Sequence, residues 1–290
     1  MTGSETIKLY YSLTKPRVTY GNAITAVAGF LLASKGTIDW GLFLALTVGM
    51  TLVIASACVL NNYLDQDIDA KMTRTKTRAL VQGVIPGRNA VMFSIVLGIL
   101  GTVILFFFTN LLTTIVGILG FVVYVVLYGM LSKRLSIHGT LVGSISGAAP
   151  ILGGYTAVAG TIDIGAILVF LVIFLWQMPE FYSIAVYRRD EYKAADIPVM
   201  TVIKGIKNTK IQILIYTIAF VIATILLTVF GYTGYVYLAV MAILGLYWIW
   251  LGAKGLKASD DNAWARKMFR FSLIMLLVFS FMISIDSLLS

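Results

Sequence analysis

The segment GLFLALTVGMTLVIASACVLNNYLDQDID, residues 41–69, decides the fold because a long uncharged stretch runs directly into a cluster of acids. Residues 41–63 contain no Asp, Glu, Lys or Arg. A helix of about 20 apolar residues is long enough to cross a hydrocarbon core of about 30 Å. The segment therefore predicts a transmembrane helix that ends in charged residues at the membrane surface.

The composition of the whole chain agrees with that prediction. Of 290 residues, 59% are hydrophobic and 12% are charged, which excludes an ordinary water-soluble enzyme. The apolar runs do not alternate as they would in an outer-membrane barrel. The single cysteine (Cys58) and single histidine (His138) exclude disulfide scaffolds and multi-Cys or multi-His metal sites. We therefore expect an all-α, polytopic membrane helical bundle.

The apolar runs predict about nine transmembrane helices within one membrane-embedded domain, residues 1–290. The third and fourth of these runs are separated by a polar break of one residue, Asn110. The predicted spans are residues 18–34, 41–63, 90–109, 111–131, 138–159, 163–187, 211–230, 234–252 and 268–288. Two long loops, residues 64–89 and 188–210, follow the second and sixth spans, and long ordered loops usually carry function.

The distribution of positive charge predicts the orientation. With nine spans, every one of the 22 Lys and Arg residues except Lys35 falls on the same side as the N-terminus. The positive-inside rule then places the N-terminus in the cytoplasm and the C-terminus outside. Because Asn22 interrupts the first span and no cleavage pattern follows it, we expect a retained helix and not a signal peptide. The net charge of +9 suits anionic lipid head groups or an anionic substrate.

The acids after the second span form the first candidate site. Asn61, Asp65 and Asp69 are four residues apart, so a continuing helix places them on one face with a drift of about 40° per step. Oxygen donors of this kind suit Mg²⁺, which commonly bridges a carboxylate to substrate phosphates. Asp67 points elsewhere. The alternative is an acidic juxtamembrane turn that pairs with the following cations.

The basic stretch that follows, Lys71 to Arg78, could grip the same phosphate groups through charge-assisted hydrogen bonds. Lys133 and Arg134, at the next predicted cytoplasmic turn, could do the same. Taken singly, each of these cations is more simply explained as a charge that sets the membrane topology. Their position close to an oxygen-only metal motif favours a diphosphate site.

A second acidic cluster closes the sixth span. Asp190 and Glu191 are adjacent, and Asp196 lies five residues beyond Glu191. Two acidic clusters on one side of the membrane, each beside basic residues, fit a diphosphate held by two or more Mg²⁺ ions. The alternative is a salt-bridged helix at the membrane interface.

Several motifs together resemble the UbiA superfamily of intramembrane prenyltransferases, and within it the branch that farnesylates protoheme IX. The Asn-xxx-Asp-xxx-Asp string is similar to the superfamily's first motif, and the Ala-Ala-Asp-Ile-Pro-Val string is similar to the heme-specific form of the second. The resemblance covers nearly the whole chain. Its motifs are TKPRVTYGN (14–22), NNYLDQDIDAKMTRTKTR (61–78), GTLVGSISGAAP (139–150), WQMPEF (176–181) and YKAADIPV (192–199).

The resemblance implies a helical bundle around a cavity that opens sideways to lipid, with Mg²⁺ and farnesyl diphosphate at the cytoplasmic rim. The enzyme would transfer the farnesyl group to heme B and form heme O. A heme A synthase or the assembly of a terminal oxidase would then use the heme O. The implied ligands are Asn61, Asp65 and Asp69 for the first metal and Asp190, Glu191 and Asp196 for the second. The implied diphosphate ligands are Lys71, Arg74, Arg78, Lys133 and Arg134, and Asn22 would line the cavity.

One position departs from the pattern of the family. Pro179-Glu180-Phe181 stands where the resemblance leads us to expect a histidine between Pro and an aromatic residue. If the family's histidine helps seat the porphyrin or its iron, the resemblance does not carry heme binding over to Glu180. If the histidine orients the diphosphate, Glu180 could join the metal shell as a substrate-binding residue. The alternative is a partly buried acid that pairs with Arg188 or Arg189. His138 is a candidate heme ligand, but at the edge of a span it is more simply an interfacial residue.

The resemblance also implies how the reaction proceeds. Cations disperse the charge on departing diphosphate, an apolar cavity keeps water from the farnesyl cation, and a heme vinyl group attacks it. Tyr124, Tyr128 and Tyr182 are candidate cavity residues that would stabilise the cation through their rings. Two alternatives stay open: a UbiA-type enzyme acting on a quinone precursor or other ring, and a secondary transporter with charges near the membrane midplane.

Overall fold

The computed structural model describes residues 3–289, and over that range the chain forms helices and no strands. In chain order the helices are α1 (Gly3–Leu13), α2 (Pro16–Ser34), α3 (Trp40–Leu64), α4 (Gln66–Lys71), α5 (Gly87–Phe108), α6 (Leu111–Val122), α7 (Lys133–Leu135), α8 (Gly139–Ala159), α9 (Ile164–Tyr187), α10 (Arg189–Ala194), α11 (Met200–Ile203), α12 (Gly205–Val229), α13 (Tyr235–Gly255) and α14 (Asp261–Ile285). A π-helical stretch, Val123–Ser132, joins α6 to α7, and a 3₁₀ turn, Asp286–Leu288, follows α14.

The expected membrane bundle is confirmed. Within the described range, eight helices are long and apolar enough to cross a membrane, counting α6, the π-helical stretch and α7 as one. The helix α2, with 19 residues, matches the remaining predicted span. The break at Asn110 is also confirmed, since its side-chain oxygen accepts the Thr113 N–H at 2.8 Å and begins α6.

Two helices begin earlier, at the ends that carry the charged segments, than the hydropathy pattern predicted. We expected spans to begin at residues 211 and 268, but α12 begins at Gly205 and α14 at Asp261. Hydropathy detects only the part of a helix that lies in lipid, and charged first turns are helical without being apolar. The stretch 188–210 is therefore not an extended loop, because it contains α10, α11 and the start of α12.

The helices α2 and α8 approach one another closely because both present glycine at their contact. A Cβ at Gly154 would lie 1.9 Å from the Ala26 carbonyl oxygen, and one at Gly29 would lie 2.2 Å from the Ile151 carbonyl oxygen. Small residues allow this approach in membranes, where helix association depends on close packing. The contact joins the first half of the chain to the second.

Two apolar cores stabilise the bundle. The larger one is built from α8, α9, α12, α13 and α14, around fully buried side chains such as Trp248, Phe220 and Phe279. The smaller one joins α2, α3 and α5 through Phe30, Met50 and neighbours. The segments that follow α3 and α9 meet at one end of the bundle, where Ile68 and Met72 pack against Ala195 and Ile197, and this end carries the acidic motifs.

Candidate active site

The first acidic motif is buried at the junction of α3 and α4. Asn61, Asp65 and Asp69 are 2%, 2% and 4% exposed. The Asp65 N–H donates to the Asn61 carbonyl at 3.0 Å, and the Asp69 N–H donates to the Asp65 carbonyl at 2.7 Å. Helical hydrogen bonding therefore continues through the junction, and the four-residue spacing is kept.

Each of these three side chains contacts one cation, and each cation comes from a different part of the chain. Lys15 Nζ lies 2.5 Å from Asn61 Oδ1, and Lys133 Nζ lies 2.5 Å from Asp65 Oδ2. Arg78 pairs with Asp69. A buried carboxylate requires such a partner, because an isolated charge is costly away from water.

Two polar atoms at this motif lack a partner. Asp65 Oδ1 and Asn61 Nδ2 are fully enclosed without a hydrogen bond. Residues 3–289 contain no group of three or more His, Cys, Asp or Glu close enough to hold a metal ion by themselves. Mg²⁺ does not need such a cage, since it is often held by one or two carboxylates together with waters and substrate phosphates. The oxygen-only donors and the free Asp65 oxygen fit that kind of site.

The second acidic motif packs against the first. Lys71 pairs with Asp196 at 2.9 Å, and Ile68 and Met72 form a small apolar cluster with Ala195 and Ile197. The structure therefore brings together two segments that are more than one hundred residues apart in sequence.

The acids of the second motif differ in their surroundings. Arg188 donates to Glu191 Oε1 at 2.7 Å, while Glu191 Oε2 is enclosed and has no partner. Asp190 is exposed and its carboxylate has no hydrogen bond or ion pair within the described residues. Asp196 is exposed and adopts a left-handed backbone conformation, with φ of 56°.

The remaining predicted cations lie around the rim. Arg134 binds both carboxylate oxygens of Asp67 at 2.7 Å and the Leu64 carbonyl at 2.7 Å. This guanidinium lowers the pKa of Asp67 to about 2. Arg74 is exposed and forms no hydrogen bond or ion pair in the part of the chain that the structure describes.

The structure separates the three candidate tyrosines. Tyr124 and Tyr128 stack at 5.7 Å in the π-helical stretch, which lies against the first motif: a Cβ at Gly129 would be 3.6 Å from Asn61 Nδ2. Tyr182 instead belongs to the larger core, 6.2 Å from the Tyr216 ring. Only the first two are therefore placed beside the acids.

Three further residues that the sequence singled out form no hydrogen bond or ion pair with the acidic motifs in the described part of the chain. Asn22 is partly exposed and donates to the Val18 carbonyl of its own helix at 2.9 Å. Glu180 is 9% exposed and its carboxylate has no hydrogen bond or ion pair within residues 3–289, so the expected alternative of a pair with Arg188 or Arg189 is not formed. His138 is exposed just before α8.

In the sequence, Lys15 stands out only as part of the motif TKPRVTYGN and has no predicted role at the site, but the structure places it beside Asn61. It is 46 residues from Asn61, so no spacing rule connects the two. Although part of its side chain stays accessible, the protein around its amine lowers the pKa of Lys15 to about 8, chiefly because burial disfavours the charged form. The signal in the sequence is its position directly before Pro16 at the start of a span.

An apolar cleft of about 570 Å³ lies between α2 and α14. Its walls include Tyr20, Ile24, Leu277 and Phe281. No acidic residue lines the cleft, and one of its walls is α2, the helix that begins directly after Lys15. Its lining suits a hydrocarbon chain.

The sequence matches the UbiA prenyltransferase family over residues 22–274. A protoheme IX farnesyltransferase from Yersinia pseudotuberculosis is 49% identical over 280 residues, which is 97% of this chain and 95% of that protein.

Two solved structures share the fold. One is described as digeranylgeranylglyceryl phosphate synthase in membranes, with a TM-score of 0.82, 22% identity, and coverage of 99% of this chain and 100% of the other. The other is a UbiA homolog from Archaeoglobus fulgidus bound to GPP and Mg²⁺, with a TM-score of 0.72, 13% identity, and coverage of 95% and 99%.

Proposed function

Because the chain belongs to the UbiA prenyltransferase family, we propose that it transfers farnesyl from farnesyl diphosphate to a vinyl group of heme B, forming heme O. It is a multi-pass membrane protein of prenyltransferase type. The identity of 49% with a protoheme IX farnesyltransferase supports heme B as the acceptor. The observation that carries the proposal is the buried Asp65, which has one oxygen on Lys133 and the other free.

The donor end of the reaction follows from the charges at the motif. A diphosphate that enters beside Asp65 meets Lys15, Arg78 and Lys133, whose hydrogen bonds can disperse the negative charge of the leaving group. Mg²⁺, when bound with the diphosphate, would supply further charge stabilisation. The proposed metal ligands are Asn61, Asp65 and Asp69, with Asp190, Glu191 and Asp196 for a second ion.

The acceptor end requires an apolar environment. As the C–O bond of farnesyl diphosphate breaks, diphosphate leaves with the bonding electrons and the terminal carbon of a heme vinyl group forms a bond to farnesyl C1. Water then adds to the cation at the other vinyl carbon, with loss of a proton. Tyr124 and Tyr128 offer ring faces beside the motif that stabilise positive charge. The apolar cleft between α2 and α14 offers a surface for the farnesyl chain at the side of the bundle.

We further propose that the protein lies in the cytoplasmic (inner) membrane with the acidic motifs on the cytoplasmic side. The cations that surround the motifs support this orientation through the positive-inside rule. Heme A synthase or a terminal oxidase would then receive the product.

The function is tested by supplying heme B, farnesyl diphosphate and Mg²⁺ to the protein in lipid nanodiscs and analysing the products by mass spectrometry. We expect a species heavier than heme B by one hydroxyfarnesyl unit, and we expect EDTA to abolish it and Mg²⁺ to restore it. Prenylation of an aromatic quinone precursor, with heme B unchanged, would instead identify the alternative acceptor. Accumulation of a labelled solute in proteoliposomes without any prenyl product would favour the transporter.

A further inference from the structure

Lys15 occupies a constrained corner between α1 and α2. Its φ of 49° is left-handed, which is unfavourable for a residue with a Cβ, and the following proline further disfavours any conformation but an extended one. Neighbouring contacts hold the corner: the Asn62 amide donates to the Leu13 carbonyl at 2.7 Å, and the Thr19 hydroxyl donates to the Thr14 carbonyl at 2.6 Å. Backbone strain of this kind persists where surrounding structure enforces it, and it concentrates at functional sites.

The corner delivers the Lys15 ammonium to the oxygen of Asn61 that a metal would use. The amide carbonyl oxygen, Oδ1, accepts from Lys15 at 2.5 Å, while the amide nitrogen is enclosed without a partner. Asp65 and Asp69 are engaged in the same way, each with one oxygen on a cation. A metal ion that arrives alone must therefore compete with positive charges already present.

A diphosphate removes that conflict because it brings negative oxygens to which the cations can move. Lysine suits the exchange, since its ammonium sits on a flexible stem and can form up to three hydrogen bonds in new directions. Arg134 does not suit it, because that guanidinium is held by both oxygens of Asp67 and by the Leu64 carbonyl.

We propose that Lys15 is a diphosphate-binding residue that holds Asn61 in the substrate-free protein and moves to a phosphate oxygen when metal and diphosphate enter together. The inference rests on the proposed function, since it takes the substrate to be a prenyl diphosphate. It makes metal and diphosphate binding mutually dependent, and such coupling is reciprocal: each ligand raises the affinity for the other by the same factor.

The test measures Mn²⁺ binding, as a probe for Mg²⁺, by electron paramagnetic resonance on the protein in nanodiscs, with and without inorganic diphosphate. In the unchanged protein we expect weak Mn²⁺ binding alone and stronger binding with diphosphate. In Lys15→Met we expect Mn²⁺ alone to bind more tightly, and the enhancement by diphosphate to fall about tenfold, because one charged hydrogen bond to phosphate is lost. Lys15→Arg should keep most of the enhancement.

Lys8→Met is the matched control, because Lys8 is exposed on α1 and should leave both affinities unchanged. If Lys15→Met does not fold, Lys15→Gln replaces it, since glutamine keeps a donor for Asn61 without the charge. Unchanged coupling in the folded variant overturns the proposal. So does an equal loss of both affinities, which would indicate a purely structural contact.

The measurement uses neither heme nor turnover, so its failure is distinct from failure of the proposed function. If the unchanged protein farnesylates heme B but Lys15→Met shows unchanged coupling, only the proposed role of Lys15 is contradicted. If Lys15→Met loses the coupling as expected but the unchanged protein forms no heme product, only the assignment of heme B as the acceptor is contradicted.

Discussion

At the residue scale, the site is organised by buried charges with one partner each. Asp65 is 2% exposed and would carry an uncompensated charge without Lys133, yet its second oxygen has no partner. Asp67, two residues later, is exposed and is fully engaged by Arg134. The same amino acid therefore has two different environments, which differ in burial and in the number of partners.

Asp65→Asn should lower farnesyl transfer about a hundredfold or more, because the proposed metal loses a negatively charged ligand at the point where charge is stabilised. Asp67→Asn is the matched control and should change the rate by less than about twofold, since exposed ion pairs contribute little. Both variants should elute as folded protein in size-exclusion chromatography. Equal rates for the two variants would contradict the assignment of Asp65.

At the element scale, two features decide how helices reach the site. The π-helical stretch alters the register of its helix: the Lys133 N–H donates to the Tyr128 carbonyl five residues earlier. In an α-helix, residues five apart are separated by about 140° around the axis, whereas i to i+5 bonding brings them onto the same side of the helix. Lys133 can therefore reach Asp65 while Tyr124 and Tyr128 stay beside the same motif.

The second feature is the glycine contact between α2 and α8. Gly154→Ala should destabilise the protein by about 1–3 kcal/mol, because a methyl group would overlap the Ala26 carbonyl and push the two helices apart. A lower apparent melting temperature in detergent measures this effect. Gly21→Ala, in α2, should leave the melting temperature unchanged or slightly raised, since no neighbouring atom lies within 4 Å of its Cβ position and alanine favours helix. A melting temperature as high for Gly154→Ala as for Gly21→Ala would show that the contact is not close.

At the scale of the whole molecule, charge and cavities are distributed unequally between the two ends. The acidic motifs and nearly all cations gather at one end, while Lys35 lies at the other. Near Lys35, a smaller polar cleft of about 350 Å³ includes Asp286, which accepts the Gly234 N–H. The apolar cleft between α2 and α14 lies along the side of the bundle. Water-soluble and lipid-soluble substrates can therefore approach from different directions.

The orientation can be checked with single cysteines in a Cys58→Ser background, since Cys58 is the only cysteine of the chain. In intact cells, a membrane-impermeant maleimide should label Lys35→Cys and should label Lys257→Cys only after the membrane is permeabilised, because the positive-inside rule places Lys257 in the cytoplasm. Both side chains are exposed. The reverse pattern would invert the topology and place the acidic motifs outside.

The sequence by itself determined the membrane bundle, most of its apolar spans and the two acidic clusters. Each of these depends on local chemistry: apolar length decides whether a helix crosses lipid, and a spacing of four places Asn61, Asp65 and Asp69 on one helical face. The helical form of residues 188–210 was missed for the same reason, since charged helical turns leave no hydropathy signal.

Only the tertiary structure decided which charged and polar side chains contact one another. The contact of Lys15 with Asn61, the pair of Lys133 with Asp65 and the packing of the second motif on the first join residues that are distant in sequence. These contacts depend on a left-handed corner, a π-helical register and a glycine contact, and each of them is stable only because the surrounding helices hold it in place.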